Sequence, residues 1–147
     1  MKVKEIMTKD VISLSPNIFA KDALDILFRR QISGLPVIDA QSRLVGMFTE
    51  KDILSYILPS YILTVGSFIY EENPKSVKKK FMELDKVKIS QVMRKEVVTI
   101  SPDTTLCEVA RIMLTQKARR VVIVDEAKKV VGIVARCDVV RAFAEES

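Results

Sequence analysis

Two short segments carry the residue types best suited to holding a ligand, Gly46-Met-Phe-Thr-Glu-Lys-Asp52 and Gly132-Ile-Val-Ala-Arg-Cys-Asp138. Each links a predicted strand to a predicted helix. Such a junction offers free backbone N–H groups and the positive end of a helix dipole, which suit an anion. A carboxylate there accepts hydrogen bonds from a pair of vicinal hydroxyls, as nucleotide-binding folds do with ribose. Thr49-x-x-Asp52 also reads as a helix cap with its first-turn acid, although Asp138 persists where the cap position has become Ala135. Both readings stand on the residues alone. Ala118-Arg119-Arg120-Val121 sets two guanidinium forks, suited to phosphate oxygens, immediately before an apolar run. An arginine pair at the start of a strand is more often an ordinary surface salt-bridge former than a ligand site.

The rest of the composition narrows the chemistry. The chain holds no histidine, so it has no Ser-His or Cys-His nucleophile pair, no His-containing zinc site and no imidazole general base. No two groups form a recognisable acid-base or nucleophile pair, and an enzyme is the poorest fit. Cys107 and Cys137 stand 30 residues apart without a C-x-x-C motif. They read as reduced, buried small hydrophobes of a cytoplasmic protein. The first residues, Met-Lys-Val-Lys-Glu, hold no apolar signal core.

The elements that position these residues come in two copies. Shifting the sequence by 86 lays Val3–Tyr56 on Ile89–Ala142 without a gap, and ten of the 54 positions are identical. The identities are Met7/Met93, Lys9/Lys95, Val11/Val97, Ser15/Ser101, Pro16/Pro102, Ile26/Ile112, Asp39/Asp125, Val45/Val131, Gly46/Gly132 and Asp52/Asp138. In each copy a short strand (Val11–Leu14 or Val97–Ile100) ends at Ser-Pro. Helical spacing follows, through Ala20, Ala23, Leu24, Leu27 and Phe28, and through Leu106, Val109, Ala110, Met113 and Leu114. Thr105 and Glu108 spell a capping box for the second of these helices, whereas the first has Phe19 at its cap position. Continuous apolar runs at Leu35–Asp39 and Val121–Asp125 read as strands covered on both faces. Strands at Leu44–Phe48 and Val130–Val134 follow, then helices beginning near Glu50 and Arg136. The expected architecture is α/β (α+β): two strand-helix-strand-strand-helix units, each too small to be secure alone, sharing a core sheet to sheet.

The domain boundaries follow: a first repeat over 1–58, an apolar segment and basic connector helix over 59–88, and a second repeat over 89–147. The net charge of +5 is concentrated, because residues 75–95 hold eight basic and two acidic side chains. Asn73-Pro74 suits a helix start, with Val77, Phe81 and Leu84 on one apolar stripe. Ile53–Tyr70 is uncharged over 18 residues but contains Pro59 and Gly66, which argue against a membrane span. Its Ser60–Tyr70 part suits burial against a second copy of the chain.

In their order, Met7-Thr through Pro16, Ser33-Gly-Leu-Pro-Val-Ile-Asp39 and Leu44-Val-Gly-Met-Phe-Thr-Glu-Lys-Asp52 resemble a CBS (cystathionine-β-synthase-type) domain. The second copy matches through Val97–Pro102, Arg119–Asp125 and Val130–Asp138, and the resemblance spans about three quarters of the chain. A tandem of this kind is a Bateman module. The resemblance implies a pseudo-twofold pair of small mixed sheets, non-catalytic and regulatory, that binds adenine nucleotides or related adenosyl ligands and often forms disc-shaped dimers. It further implies one cleft built from Met47, Thr49 and Asp52 with Val97, Val98, Ala118, Arg119 and Arg120. A second, weaker cleft would combine Ile133 and Asp138 with Val11, Ile12, Ile32, Ser33 and Gly34. There Ala135 replaces the hydroxyl residue and Ser33-Gly34 supplies no charge.

The expected function is a ligand sensor for AMP, ADP or ATP, or for S-adenosylmethionine, with no catalytic cofactor or metal. It would act as a cytoplasmic homodimer on a regulated partner in trans. A rival reading gives the lysines at 78–80 to nucleic acid, although Phe81 is the sole aromatic among them and sits on the apolar stripe. Another is a scaffold without a ligand.

Overall fold

The structure, a computed structural model, describes residues 1–58 and 74–146. Five helices and five strands are used below, numbered in chain order. The first repeat provides α1 (Ala20–Arg30), β1 (Gly34–Ile38), β2 (Leu44–Thr49) and α2 (Glu50–Ile57). The connector provides α3 (Pro74–Met82), and the second repeat β3 (Thr99–Ile100), α4 (Leu106–Thr115), β4 (Arg120–Val124), β5 (Val130–Ala135) and α5 (Arg136–Glu146). The mixture of helices and small sheets matches the expected class. Strands β1 and β2 form one sheet; β3, β4 and β5 form another in that order, β3 parallel to β4 and β5 antiparallel to it.

The compact units divide the chain differently from the sequence repeats. One contains residues 1–13, 38–45 and 96–147, the other residues 14–37 and 46–95. The leading segment of each repeat is therefore built into the unit holding most of the other repeat. In the first unit Val3 is fully buried with Ile100, Val109, Met113, Val121, Ile123, Val134 and Val139. Its N–H donates to Thr104 O at 2.8 Å, and Thr8 and Ile133 exchange backbone hydrogen bonds. In the second unit Ile89, also fully buried, joins a core with Leu27, Val37, Phe48 and Leu84. Its N–H donates to Ile18 O, and Met47 and Arg94 exchange backbone bonds of 2.8 and 2.9 Å.

The two opening strands fare unequally. Thr99 and Ile100 form β3, and Val122 N–H reaches Val98 O at 3.4 Å. In the first repeat the expected strand at Val11–Leu14 reduces to one parallel bridge between Leu14 and Val37. The residue standing where Val122 stands is Pro36, which has no N–H to give Ile12, so the ladder cannot extend. Each hairpin turn is organised by the aspartate the copies share. Asp39 Oδ1 accepts the N–H groups of Gln41 and Arg43, and Asp125 Oδ1 those of Ala127 and Lys129. Those identities thus serve the turn rather than a ligand.

Helices α1 and α4 turn most of their apolar spacing inward, but Phe28 is 60% and Leu114 76% exposed. The capping box of α4 forms by half. Thr105 Oγ1 accepts the Glu108 N–H at 3.3 Å, while the Glu108 carboxylate is engaged by the Arg111 guanidinium. Cys107 and Cys137 are exposed, a correction to their expected burial. Leu106, Val109 and Met113 take the inward positions of α4, and Val139 and Ala142 those of α5, which leaves both cysteines on the outside of a first turn. Helix α3 packs on α2: Tyr56 donates its phenolic hydrogen to Glu83, and the Lys80 ammonium lies 5.0 Å from the Tyr56 ring centre. On its stripe Val77 is half-buried but Phe81 is exposed, and the buried Leu84 lies beyond the helix, in a 3-10 turn at Glu83–Lys86. Asn73 and the Ser60–Tyr70 segment lie outside the described residues. No helix among the described residues is long and apolar enough to cross a membrane.

Candidate functional site

Both candidate junctions form as strand-to-helix turns, and in both the aspartate reaches back to the cap. Thr49 ends β2 in an extended conformation and caps α2. Its N–H donates to Asp52 Oδ2 at 2.8 Å and its hydroxyl to the same oxygen at 3.2 Å. At the other junction the Ala135 N–H donates to Asp138 Oδ2 at 2.9 Å. The capping role is therefore present in both copies, and it explains why Asp138 persists without a hydroxyl partner. These cap bonds use Oδ2 alone and hold that oxygen of each carboxylate at a helix start. Burial pushes the Asp52 carboxyl above the usual aspartate range, partly offset by the Thr49 hydrogen bonds and by the charges of Arg94 and Lys51.

The strand-start residues lie beside the aspartate of their own repeat. Ser33 O accepts the Glu50 N–H at 3.0 Å, and Arg119 O accepts the Arg136 N–H at 3.0 Å. A Cβ placed on Gly34 would come within 2.6 Å of Thr49 Cγ2 and 3.0 Å of Phe48 O. In the other sheet Arg120 stands across the ladder from Ala135.

One unit thus gathers Met47, Thr49 and Asp52 with Ile32, Ser33 and Gly34. The other gathers Ile133 and Asp138 with Ala118, Arg119 and Arg120, and also holds Val11, Ile12, Val97 and Val98. Met47 is buried and fixed to Arg94 through the backbone. Val11, Ile32, Val97, Val98, Ala118, Arg120 and Ile133 are half-buried; Ile12, Ser33 and Arg119 are exposed.

Two residues at these junctions were not singled out from the sequence. Glu50 and Arg136, one position after Thr49 and Ala135, are exposed in the first turns of α2 and α5 and carry opposite charge. The 86-residue shift, which lays Glu50 on Arg136, carries the sequence signal for them.

Comparison with known proteins gives a family model, the CBS domain, matching residues 3–59 and again 89–145. An uncharacterized protein of Methanocaldococcus jannaschii is 32% identical over 97% of this chain and 91% of its own length. The crystal structure of CBSX2 in complex with AMP is similar at a TM-score of 0.75 and 28% identity, covering 99% of this chain and 97% of that one. The CBS domain pair of protein MJ0100, in complex with 5′-methylthioadenosine and S-adenosyl-L-methionine, gives a TM-score of 0.71 and 26% identity over 100% and 98% of the two chains. Against seven other curated relatives the chain spans between 15% and 63% of their length.

Proposed function

The chain belongs to the CBS-domain family, carrying two copies of the domain, and on that premise we propose that it is a non-catalytic regulatory module that binds adenosine-containing ligands. The observation that carries this reading is the pair of cap-fixed carboxylates, Asp52 and Asp138, each at the N-terminus of a helix and each suited to a ribose diol. Support comes from the relatives solved with AMP and with S-adenosyl-L-methionine. AMP, ADP, ATP and S-adenosylmethionine are the ligands to test.

The sequence-based allocation gives Arg119 and Arg120, with Met47, Val97, Val98 and Ala118, to the ligand held by Thr49 and Asp52. It gives Val11, Ile12, Ile32, Ser33, Gly34 and Ile133 to the ligand held by Asp138. The ladder favours a second allocation, in which each strand start serves the aspartate of its own repeat. Arg120 pairs across from Ala135, and the Arg136 N–H bonds Arg119 O. Calorimetry with the four ligands on wild type, Asp52→Ala and Asp138→Ala decides both points. Each substitution should abolish one binding event, and the ATP event should be lost with Asp138 under the second allocation. Affinities unchanged in both variants would overturn the function.

A cytoplasmic homodimer acting on a partner in trans completes the proposal. Two exposed free thiols suit a reducing compartment. Leu54 and Val140, like Phe28 and Leu114, are large exposed apolar residues at equivalent positions of the two repeats, which suits cover by a second copy.

A further inference from the structure

Gly34 and Arg120 are equivalent under the 86-residue shift, and so are Thr49 and Ala135. In each repeat these two residues face one another, and the two pairs solve the same space problem in opposite ways. Where Thr49 supplies a hydroxyl, its methyl occupies the place a Cβ at position 34 would take, and a side chain there would have to displace it. Where the cap residue shrinks to Ala135, the strand start carries the full guanidinium of Arg120. The exposed charge one position further on differs too, Glu50 beside the threonine and Arg136 beside the alanine, although Lys51 and Arg94 also bear on Asp52 and leave its surroundings mixed in charge. An arginine in the first turn of an 11-residue helix opposes the helix dipole. That placement works against the fold and in favour of an anion.

We infer that these positions set the ligand preference of the two sites: Arg120, Ala135 and Arg136 make the Asp138 site select for phosphate, and Gly34, Thr49 and Glu50 leave the Asp52 site without that preference. The inference rests on the adenosyl-ligand reading above. Along the series adenosine, AMP, ADP and ATP, affinity at the Asp138 site rises with phosphate count. At the Asp52 site affinity does not rise along that series.

Calorimetry with ATP, AMP, adenosine and S-adenosylmethionine tests this on Arg120→Gln, Arg136→Glu and the double variant Gly34→Arg/Thr49→Ala. Loss of one charge-assisted phosphate contact weakens ATP by about 10- to 100-fold and leaves S-adenosylmethionine unchanged. Arg136→Glu should raise the melting temperature, because it removes the dipole conflict, while still weakening ATP. A merely structural role for Arg136 would move the two readouts together. The double variant removes the Thr49 methyl that blocks a side chain at position 34, and it should gain ATP binding at the Asp52 site. An unchanged ATP-to-adenosine affinity ratio in both Arg120→Gln and Arg136→Glu overturns the inference and leaves the function standing. Failure of wild type to bind any of the four ligands overturns the function itself.

Discussion

The glycine pair Gly46 and Gly132, identical in the two repeats, should respond very unequally to alanine. A Cβ on Gly46 would meet Met93 Sδ at 2.7 Å and Arg94 O at 2.8 Å. The methionine tip can rotate away. The carbonyl cannot, because it accepts the Met47 N–H at 2.8 Å while the Arg94 N–H is bonded to Met47 O. Gly46→Ala must therefore push the bridge apart, which combines overpacking of about 1–3 kcal/mol with a weakened hydrogen bond of about 1 kcal/mol. The reduced backbone freedom of the unfolded chain returns about 0.4–1 kcal/mol. The net loss is about 2–3 kcal/mol. At Gly132 the close atoms all belong to the Met7 side chain, Sδ and Cγ foremost. Rotation of that chain relieves the contact, so Gly132→Ala should cost about 1 kcal/mol or less. Urea denaturation of both variants, each alone and combined with Met→Ala at its partner, separates the two causes. Met7→Ala should remove most of the effect of Gly132→Ala, since only the Met7 Cβ at 3.2 Å remains, whereas Met93→Ala should recover less than half of the effect of Gly46→Ala. Equal losses at the two glycines, or full recovery by Met93→Ala, would refute the assignment of the cost to the Arg94 carbonyl.

Three further outcomes are expected. The raised Asp52 carboxyl means that the folded chain holds this proton to higher pH than the unfolded chain, so its stabilising effect is present below the ordinary aspartate value and is lost as pH rises through the raised one. Asp52→Asn should accordingly gain stability relative to wild type between that acid range and neutrality; a decline measured by denaturation at each pH would contradict the shift. Gln31 and Lys117, and likewise Ser42 and Lys128, are equivalent pairs with φ between 54° and 65°. Glycine at any of them should stabilise by about 0.5–1 kcal/mol in thermal or urea unfolding, and a loss would contradict the left-handed backbone. Both thiols should react with an aromatic disulfide reagent in the native protein, and a native count below two would contradict their exposure.

Much of the fold was legible because helical spacing and apolar runs are local properties. Phe19 at the α1 cap and the starts of α2 and α5 at Glu50 and Arg136 all emerge where the residues indicate. What was illegible depended on partners distant in sequence. The loss of the first strand follows from Pro36 standing where Ile12 would need a donor, a relation that exists only once the pairing register is known. The exposure of Cys107 and Cys137 turned on which side of each first turn faces the core. At the site, the residue types were readable, but the reciprocity of Gly34 with Thr49 and of Arg120 with Ala135 required the strands to be placed side by side. The two explanations of Asp52, cap or ligand acceptor, were not alternatives, since the cap occupies one oxygen.

The exchange of leading segments orders the protein's birth on the ribosome. The unit of residues 14–37 and 46–95 has all of its chain once residue 95 has emerged. The other unit needs residues 1–13 together with 96–147. Val3, fully buried in the finished molecule, must therefore wait until residue 104 and its neighbours have emerged to receive it. Nascent chains halted when residue 95 has cleared the ribosome and residue 104 has not should already protect the Ile89 amide from hydrogen exchange while those around Val3 remain open.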